Sequence, residues 1–560
     1  MTRSKPIIWT ISGSDCSGGA GIAADVKTGH ALGVEVCHLI TANTVQNSQT
    51  LLSVNPVDVS ILSQQAQLLL NDKMPSVIKV GLLANIEQVT WLAGFLTTLK
   101  QLEHSTKDSI RQSIKVVYDP VGHASVGGKF SNLRIADLKP LLKVVDVITP
   151  NSQEAQWLAD STSNNVKILA ERINVLGVKS VIIKGGHALK EKALEEITLV
   201  DEDSTHVNVN KGGLNSSLNS ILSSKYCFDY CLHTLTDKDS SKMSQDQTIE
   251  YGLRSLTINT KYSHGGGCSF ASALAAFIAQ GYLLRDALTL TKAFINQGLN
   301  KTAGKLDYYG SFEQTHWPNN KAYFPIVSSS VNDKYSDLGA FSSLAFNQES
   351  LGVGDNNSNK KLGLYPVIDS LYWLKRLLPL GLPIIQLRLK NRTEPELDVI
   401  IAKAIKLSHP YRTRLFINDH WQLAIKHGAY GVHIGQEDLQ TTPLDKIHQA
   451  GMRLGISTHG YYEFLLAQQL QPSYLAIGAI YNTKTKNMTG QIQGINNLEN
   501  ILAIRNHIPV VAIGGINHQR APEVLATGVD SIAVVTAITE SKDPEKAVAL
   551  FKELIDKQCL

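Results

Sequence analysis

Beyond residue 361 the side chains able to do chemistry recur at regular intervals, each group closing a short apolar run. Gln386, Arg388 and Lys390 alternate with leucines, so in an extended strand all three point to one face. The next runs end in Asn418-Asp419, Gly435-Gln-Glu-Asp438 and Ser457-Thr-His459. Asp419 and Asp438 close neighbouring runs. Two such carboxylates are hard oxygen donors suited to Mg2+, and they leave room for a phosphorylated substrate. The competing reading makes them two unrelated N-cap aspartates, and makes Gln386, Arg388 and Lys390 a solvated face. Thr483-Lys484-Thr485-Lys486, Gly514-Gly515 and Val535-Thr536 follow later runs, where glycine lets backbone amides close on an anion. The pattern points to two anionic ligands in one pocket, one held by a cation with Arg and Lys, the other by amides.

The first half carries two glycine-bearing elements, Gly13-Ser-Asp-Cys-Ser-Gly-Gly-Ala-Gly21 and His264-Gly-Gly-Gly-Cys-Ser-Phe270. Neither has the spacing of a Walker loop or a dinucleotide fingerprint. A glycine run opening a helix offers unpaired amides and a positive dipole end, suited to a phosphoryl group in transfer; the plainer reading is a turn at a helix start. Asn151 and Glu154 lie one helical turn apart after a strand, and Glu154 is placed to organise a Mg2+–nucleotide through water. Asp119-Pro120 and Lys184-Gly-Gly-His187 each close a strand. Cys227, Cys231 and His233 suggest a metal site only weakly, because no fourth ligand is evident.

Two kinds of element must position these groups. From Pro6 to Asn300, β-branched runs such as Ile7–Ile11, Val77–Leu82, Lys115–Tyr118, Val144–Ile148 and Ser180–Ile183 alternate with helical stretches, the pattern of an α/β domain with a largely parallel sheet. After Lys361 eight strands follow one beat: Leu364–Ile368, Ile384–Leu389, Leu415–Ile417, Gly431–Ile434, Arg453–Ile456, Tyr474–Ile480, Val510–Ile513 and Ser531–Val535. Helical stretches such as Pro395–Ser408 and His420–His427 lie between them, which fits a (β/α)8 TIM barrel with its active site at the C-terminal strand ends. The expected domains are 1–324 and 362–560, joined by a Ser-, Asn- and Gly-rich linker over 325–361. A weakly patterned stretch, Ser204–Gln247, reads as an insertion or flap within the first domain.

Composition narrows the class. The chain has 560 residues with 43% hydrophobic content, enough for more than one core, which excludes wholesale disorder. Its 53 Lys+Arg against 49 Asp+Glu give +4 and no basic tail, which excludes a dedicated nucleic-acid binder. The longest apolar stretch, Ala271 to Leu284, is interrupted and too short to span a bilayer. Six scattered cysteines do not form a disulfide framework. The expectation is a cytoplasmic protein with small-molecule partners, no nucleic acid and no membrane, a homo-oligomer being allowed.

Leu364-Tyr-Pro-Val-Ile-Asp369, Gln386–Lys390, Phe416-Ile-Asn-Asp419, Gly431–Asp438, Gly455–His459, Thr483–Lys486 and Ile513-Gly-Gly515 together resemble the thiamine-phosphate synthase family. The resemblance implies coupling of hydroxymethylpyrimidine diphosphate to hydroxyethylthiazole phosphate through a carbocation-like pyrimidine. It implies Mg2+ on Asp419 and Asp438, and pyrimidine diphosphate on Gln386, Arg388, Lys390, Asn418, Ser457 and Lys486, with Lys486 also catalytic. The thiazole phosphate falls to Thr483, Lys484, Thr485, Gly514, Val535 and Thr536. Asn482 departs from the family's usual proline, a change in loop stiffness.

Ile11–Asp15, Ser17–Lys27, Thr44-Val-Gln-Asn47, Asp119-Pro-Val121, Ile148–Asn151 with Glu154, Lys184–His187 and His264–Cys268 resemble the ribokinase-like vitamin kinases, specifically the hydroxymethylpyrimidine/phosphomethylpyrimidine kinases. The resemblance implies ATP as co-substrate with Mg2+. Gly13, Asp25 and Gln46 would hold the pyrimidine, Asp119, Asn151, Glu154 and Lys184 would organise the nucleotide, and Gly265, Gly266 and Gly267 would form the anion hole. Cys268 stands where related sugar kinases carry an aspartate base. At a helix N-terminus its thiol pKa is expected to fall, making it a base; the alternative is a small packed residue. Gly266 replaces a usual threonine, and Gly122–Gly128 replaces the family's Met/Ala/Lys-Ser-Gly run.

The product of the first implied reaction is the substrate of the second, so the two resemblances imply a bifunctional thiamine-biosynthesis enzyme. The alternatives keep the barrel and make the N-terminal domain either another vitamin kinase or a non-catalytic pyrimidine sensor.

Overall fold

The apolar run that opens the N-terminal half extends to nine residues as strand β1 (Ile7–Asp15), buried along most of its length. The computed structural model describes residues 5–47, 50–105, 113–122, 130–185, 225–235, 247–344, 362–411, 413–483 and 492–557. Two units emerge, Met1–Ser329 and Ser330–Leu560.

In the first unit β1 joins β2 (Glu35–Gln46), β3 (Leu51–Pro56), β4 (Val77–Val80), β5 (Lys115–Tyr118), β6 (Val147–Ile148), β7 (Ser180–Ile183), β8 (Tyr226–Leu235), β9 (Gln247–Leu256) and β10 (Ile326–Ser328). The sheet order is β10-β9-β8-β7-β6-β5-β4-β1-β2-β3. From β7 across to β2 the pairing is parallel, with antiparallel β3 on one edge and β8, β9 and β10 on the other. Parallel strands need crossovers, and helices such as Gly21–Ala31, Ile86–Ser105 and Val166–Asn174 supply them. β4 and β7 are buried at every position, in keeping with their largely apolar sequences, with Lys79 and Ser180 as the buried polar exceptions.

One expectation needs correction here. The stretch Ser204–Gln247 contains β8, a ten-residue strand paired along its whole length with β9, so that part is sheet and not an insertion. Cys227 and Cys231 are four residues apart along it, roughly 13 Å at strand rise, too far to share an ion.

The second unit closes β11 (Gly363–Ile368), β12 (Ile384–Leu387), β13 (Arg414–Asn418), β14 (Gly431–Ile434), β15 (Arg453–Thr458), β16 (Tyr474–Gly478), β17 (Val510–Ile513) and β18 (Ser531–Val534) into an all-parallel barrel. Alternation fills it in layers. Tyr365, Ile384, Phe416, Tyr474, Val511 and Ala533 pack together in the interior. Two residues further along β12 and β13 come Gln386 and Asn418, and His433 and Ser457 face the same cavity from β14 and β15. The expected helices form as Glu394–Ser408, opened by a Thr393/Glu396 capping box, and Trp421–His427.

The stretch expected as a linker, 325–361, is divided. Ile326–Ser328 is an edge strand of the first sheet, whereas 330–344 straps the N-terminal end of the barrel. Tyr335 is buried, with its hydroxyl donating to Thr442 O and accepting from Leu444 N–H. Arg414 and Tyr430 donate to Leu344 O, and the Leu344 side chain joins the interior core. The remainder, 345–361, lies outside the described residues. Among the described residues no helix is long and apolar enough to cross a membrane.

Candidate active sites

Parallel strands in the first unit bring Asp15, Asp119, Asn151 and Lys184 to the carboxyl side of the sheet, where the helix Gly266–Ala279 begins. A cavity of about 570 Å3 lies there, lined by Gly13, Gln46, Asp119, Asn151, Glu154, Lys184, Gly265, Gly266, Gly267 and Cys268. Its other end is apolar, with Leu256, Ile258, Ile295 and Leu299 around Thr257 and Asn296.

The two glycine elements are laced together. Asp15 accepts from Ser17, Gly19 and Ala20 amides and from His264 Nε2 at 2.8 Å. Burial opposes its charge, but hydrogen bonds from His264, Gln46 and Ser17 hold its carboxyl well below the usual range. Gly265 has φ of +79°, and a Cβ there would stand 1.8 Å from Gly19 O, so this contact excludes any other residue. Asp15 and His264 both line the cavity and stand in the quoted motifs without an assigned role; their signal is a charged residue and a histidine inside glycine runs.

Lys184 Nζ lies 2.6 Å from Asp119 Oδ1 and faces Gly267, putting an ammonium beside the helix start. Glu154 is pushed up to about 7 by burial, with Lys184 opposing and Asp119 adding to the rise. Asn151 and Glu154 also form a reciprocal capping box, Asn151 N–H to Glu154 at 2.8 Å and Glu154 N–H to Asn151 at 2.9 Å. Their spacing therefore has a structural role as well as a position on the cavity wall.

Two expectations are corrected. Asp25 does not line the cavity. It is fully buried, with its oxygens taken by Lys79 at 2.8 Å and by the hydroxyls of Thr10 and Ser272. Lys79 was missed; a lone lysine inside Val77-Ile-Lys-Val80 was its signal. Cys268 is half-buried on the wall, but its thiol is pushed up to about 11, not lowered. Burial dominates, Lys79 opposes it, and Asp25 and Asp119 add to it.

The barrel holds a second cavity, about 500 Å3, at the C-terminal strand ends, lined by Gln386, Arg388, Lys390, Asn418, Asp419, Ser457, Thr483, Gly514 and Val535. Arg392, His433 and Glu437, none of them assigned from sequence, line it as well. Asp438 and Thr536 are not among the lining residues, but Asp438 adjoins one: a Cβ on Gly435 would lie 3.7 Å from Asp438 Oδ2, and Thr536 opens the helix Thr536–Thr539 next to Val535. Lys484, Thr485 and Lys486 lie outside the described residues.

Asp419 has φ of +64°, a left-handed conformation that aspartate adopts more readily than most side chains. Its N–H donates to His433 O and its carboxylate accepts from Asn418. Burial and then the charge of Asp438 push its carboxyl up, against Arg388. Mutual repulsion between these carboxylates is what a hard cation would relieve, and carboxylate oxygens are the donors that Mg2+ takes. Opposite them Gly514 has φ of +104°, and a Cβ there would collide with Ala479 at 2.5 Å.

Family comparison matches residues 15–215 and 231–312 to phosphomethylpyrimidine kinase and residues 364–538 to thiamine monophosphate synthase. The thiamine-phosphate synthase of Yersinia pseudotuberculosis serotype O:1b (strain IP 31758) is 51% identical over 203 residues, 36% of this chain and 94% of that protein. Among solved structures, thiamine phosphate pyrophosphorylase from Pyrococcus furiosus is 31% identical, covering 36% of this chain and 99% of its own with a TM-score of 0.33. Pyridoxal kinase from Staphylococcus aureus in complex with ADP is 23% identical, covering 58% and 98% with a TM-score of 0.41. Most of each cavity's lining thus falls within one matched region, and the chain belongs to the phosphomethylpyrimidine kinase family through its first unit and to the thiamine monophosphate synthase family through its second, a bifunctional enzyme of thiamine biosynthesis.

Proposed function

We propose that the first unit transfers phosphoryl groups from ATP to 4-amino-5-hydroxymethyl-2-methylpyrimidine and then to its monophosphate. The barrel then joins the resulting diphosphate to hydroxyethylthiazole phosphate, giving thiamine phosphate and diphosphate. The observation that carries this reading is the chemistry of the barrel cavity. Cationic Arg388, Lys390 and Arg392 beside the Asp419 carboxylate form a diphosphate site, the group that a kinase acting twice would make.

In the first cavity the amides opening the helix Gly266–Ala279 and the Lys184 ammonium offset charge on the phosphoryl group in transfer. Gly13 and Gln46 hold the pyrimidine at one end, and the apolar end takes the flat adenine ring. Mg2+ bound with the nucleotide supplies further charge neutralisation, with Asp119, Asn151 and Glu154 as the residues that would hold it through water. A thiol at about 11 is protonated at neutral pH, so Cys268 shapes the wall and does not accept the hydroxyl proton.

In the barrel the C–O bond to the diphosphate breaks and its electron pair leaves with the diphosphate. The thiazole nitrogen then donates its lone pair to the pyrimidine methylene carbon. Arg388, Lys390, Asn418 and Ser457, with Lys486, bind and neutralise the leaving group; Thr483, Lys484, Thr485, Gly514, Val535 and Thr536 hold the thiazole phosphate. Mg2+ on Asp419 and Asp438 supplies neutralisation of the diphosphate when bound. The setting is the cytoplasm, in keeping with five described cysteines that are all unpaired.

The test is product mass spectrometry on the full chain given the hydroxymethylpyrimidine, thiazole phosphate, ATP and Mg2+. Thiamine phosphate is expected. Product appearing only when the pyrimidine diphosphate is supplied would refute the kinase assignment and leave the barrel's.

A further inference from the structure

Beneath the barrel cavity a line of side chains crosses the interior from β12 to β15. Gln386 Nε2 lies 3.4 Å from the Tyr365 hydroxyl, Tyr365 and Tyr474 hydroxyls are 2.7 Å apart, and His433 Nδ1 is 2.7 Å from Tyr474. His433 Nε2 then reaches Ser457 Oγ at 2.8 Å. Both tyrosines are buried, His433 stacks on the Tyr474 ring, and Gln386, His433 and Ser457 border the cavity. The path is fitted closely: a Cβ on Gly455 would stand 2.2 Å from Tyr474 Cζ and 2.5 Å from its hydroxyl. Burial raises both phenols well above their ordinary range, so each keeps its proton to donate.

Such a chain can run in only two directions, because each hydroxyl donates once and neutral imidazole donates from one nitrogen and accepts at the other. In one direction Gln386 N–H donates to Tyr365, Tyr365 to Tyr474 and Tyr474 to His433 Nδ1. His433 Nε2–H then donates to Ser457, whose own O–H is left pointing into the cavity. In the other, Ser457 spends its proton on His433 and the donors run back to Gln386, whose amide must flip to accept. An anion over Ser457 is compatible with the first direction alone. That direction leaves Gln386 offering its carbonyl oxygen to the cavity, an acceptor for an amino group.

We infer that Tyr365, Tyr474 and His433 are positioning residues that couple anion binding at Ser457 to the orientation of the Gln386 amide, so that the diphosphate end of the substrate selects for a ring amino group at the other end. The inference rests on the reading of this cavity as the pyrimidine-diphosphate site.

Calorimetry on the full chain with Mg2+ tests it, using two unreactive pyrimidine diphosphate analogues, one with the ring amino group and one with oxygen in its place. Wild type is expected to prefer the amino analogue. Tyr365→Phe and Tyr474→Phe should each reduce that preference by about tenfold, because the amide is freed to flip. Tyr365→Phe/Tyr474→Phe should reduce it no further, and the thermal midpoint should stay within a few degrees. Preference retained in both single variants, or losses that add in the double variant, would overturn the coupling while leaving the site assignment intact. A wild-type protein that binds neither analogue would overturn the coupling and the site assignment together.

Discussion

Lys79 Nζ meets Asp25 Oδ2 at 2.8 Å with both side chains fully shielded from solvent. Asp25 comes from the helix Gly21–Ala31 and Lys79 from β4, and the Thr10 and Ser272 hydroxyls bind the same carboxylate. Burial opposes the ammonium, but Asp25 and its neighbours push its pKa up to about 12. Lys79→Met strands a buried carboxylate and is expected to cost about 3–5 kcal/mol, whereas Lys79→Met/Asp25→Leu should recover much of it. Urea unfolding followed by loss of kinase activity measures both; a single-variant cost under about 1 kcal/mol would refute the pairing.

Burial pushes the Glu154 carboxyl up to about 7, with Lys184 opposing the rise and Asp119 adding to it. A carboxyl raised to about 7 is neutral below that pH and charged above it. Kinase kcat/KM is therefore expected to climb as pH rises through about 7 and then level off. Glu154→Gln should lower the plateau and remove the limb. A limb unchanged in Glu154→Gln assigns the titration to another group.

Asp419→Asn removes one of two repelling carboxylates while keeping size and hydrogen-bonding reach. Synthase turnover from supplied pyrimidine diphosphate should fall about 100-fold or more, with the Mg2+ concentration for half-maximal rate rising and kinase activity unchanged. An unaltered Mg2+ dependence would count against the carboxylate pair as the cation site.

Cys268→Ala separates a base from a wall residue. With its thiol at about 11, the variant should keep kinase turnover within about tenfold of wild type, whereas loss of a general base costs about 100- to 10,000-fold. Alkylation by iodoacetamide at pH 8 should be slow at this thiol for the same reason.

The barrel was legible because its physics is local. Period-two alternation put Gln386, Arg388 and Lys390 on one face, and Gly514 had to be glycine for a φ of +104° beside Ala479. Partnerships across the fold were not legible. The family resemblance makes Asp25 a pyrimidine ligand, and only the arrival of Lys79 against it, 54 residues on, makes it a buried counter-ion. Cys268 invited a helix-terminus argument, yet surrounding burial outweighs that local field. β8 was hidden because serine- and aspartate-rich flanks dominate its window, although Cys227, Asp229, Cys231 and His233 alternate along it as a strand requires. His433 was quoted as part of a motif, but its place between Tyr474 and Ser457 depends on three different strands.

The strap over the barrel's lower end changes where this chain can be divided. A recombinant second half begun at residue 362, where the repeating beat of strands starts, would lack Tyr335 and Leu344 and would expose Tyr365 and Phe416 to water from below. Begun at Ser330, it would carry its own stopper. The seam between the two catalysts therefore lies upstream of the low-complexity stretch, and protein engineers exchanging one partner enzyme should move the stopper together with the barrel.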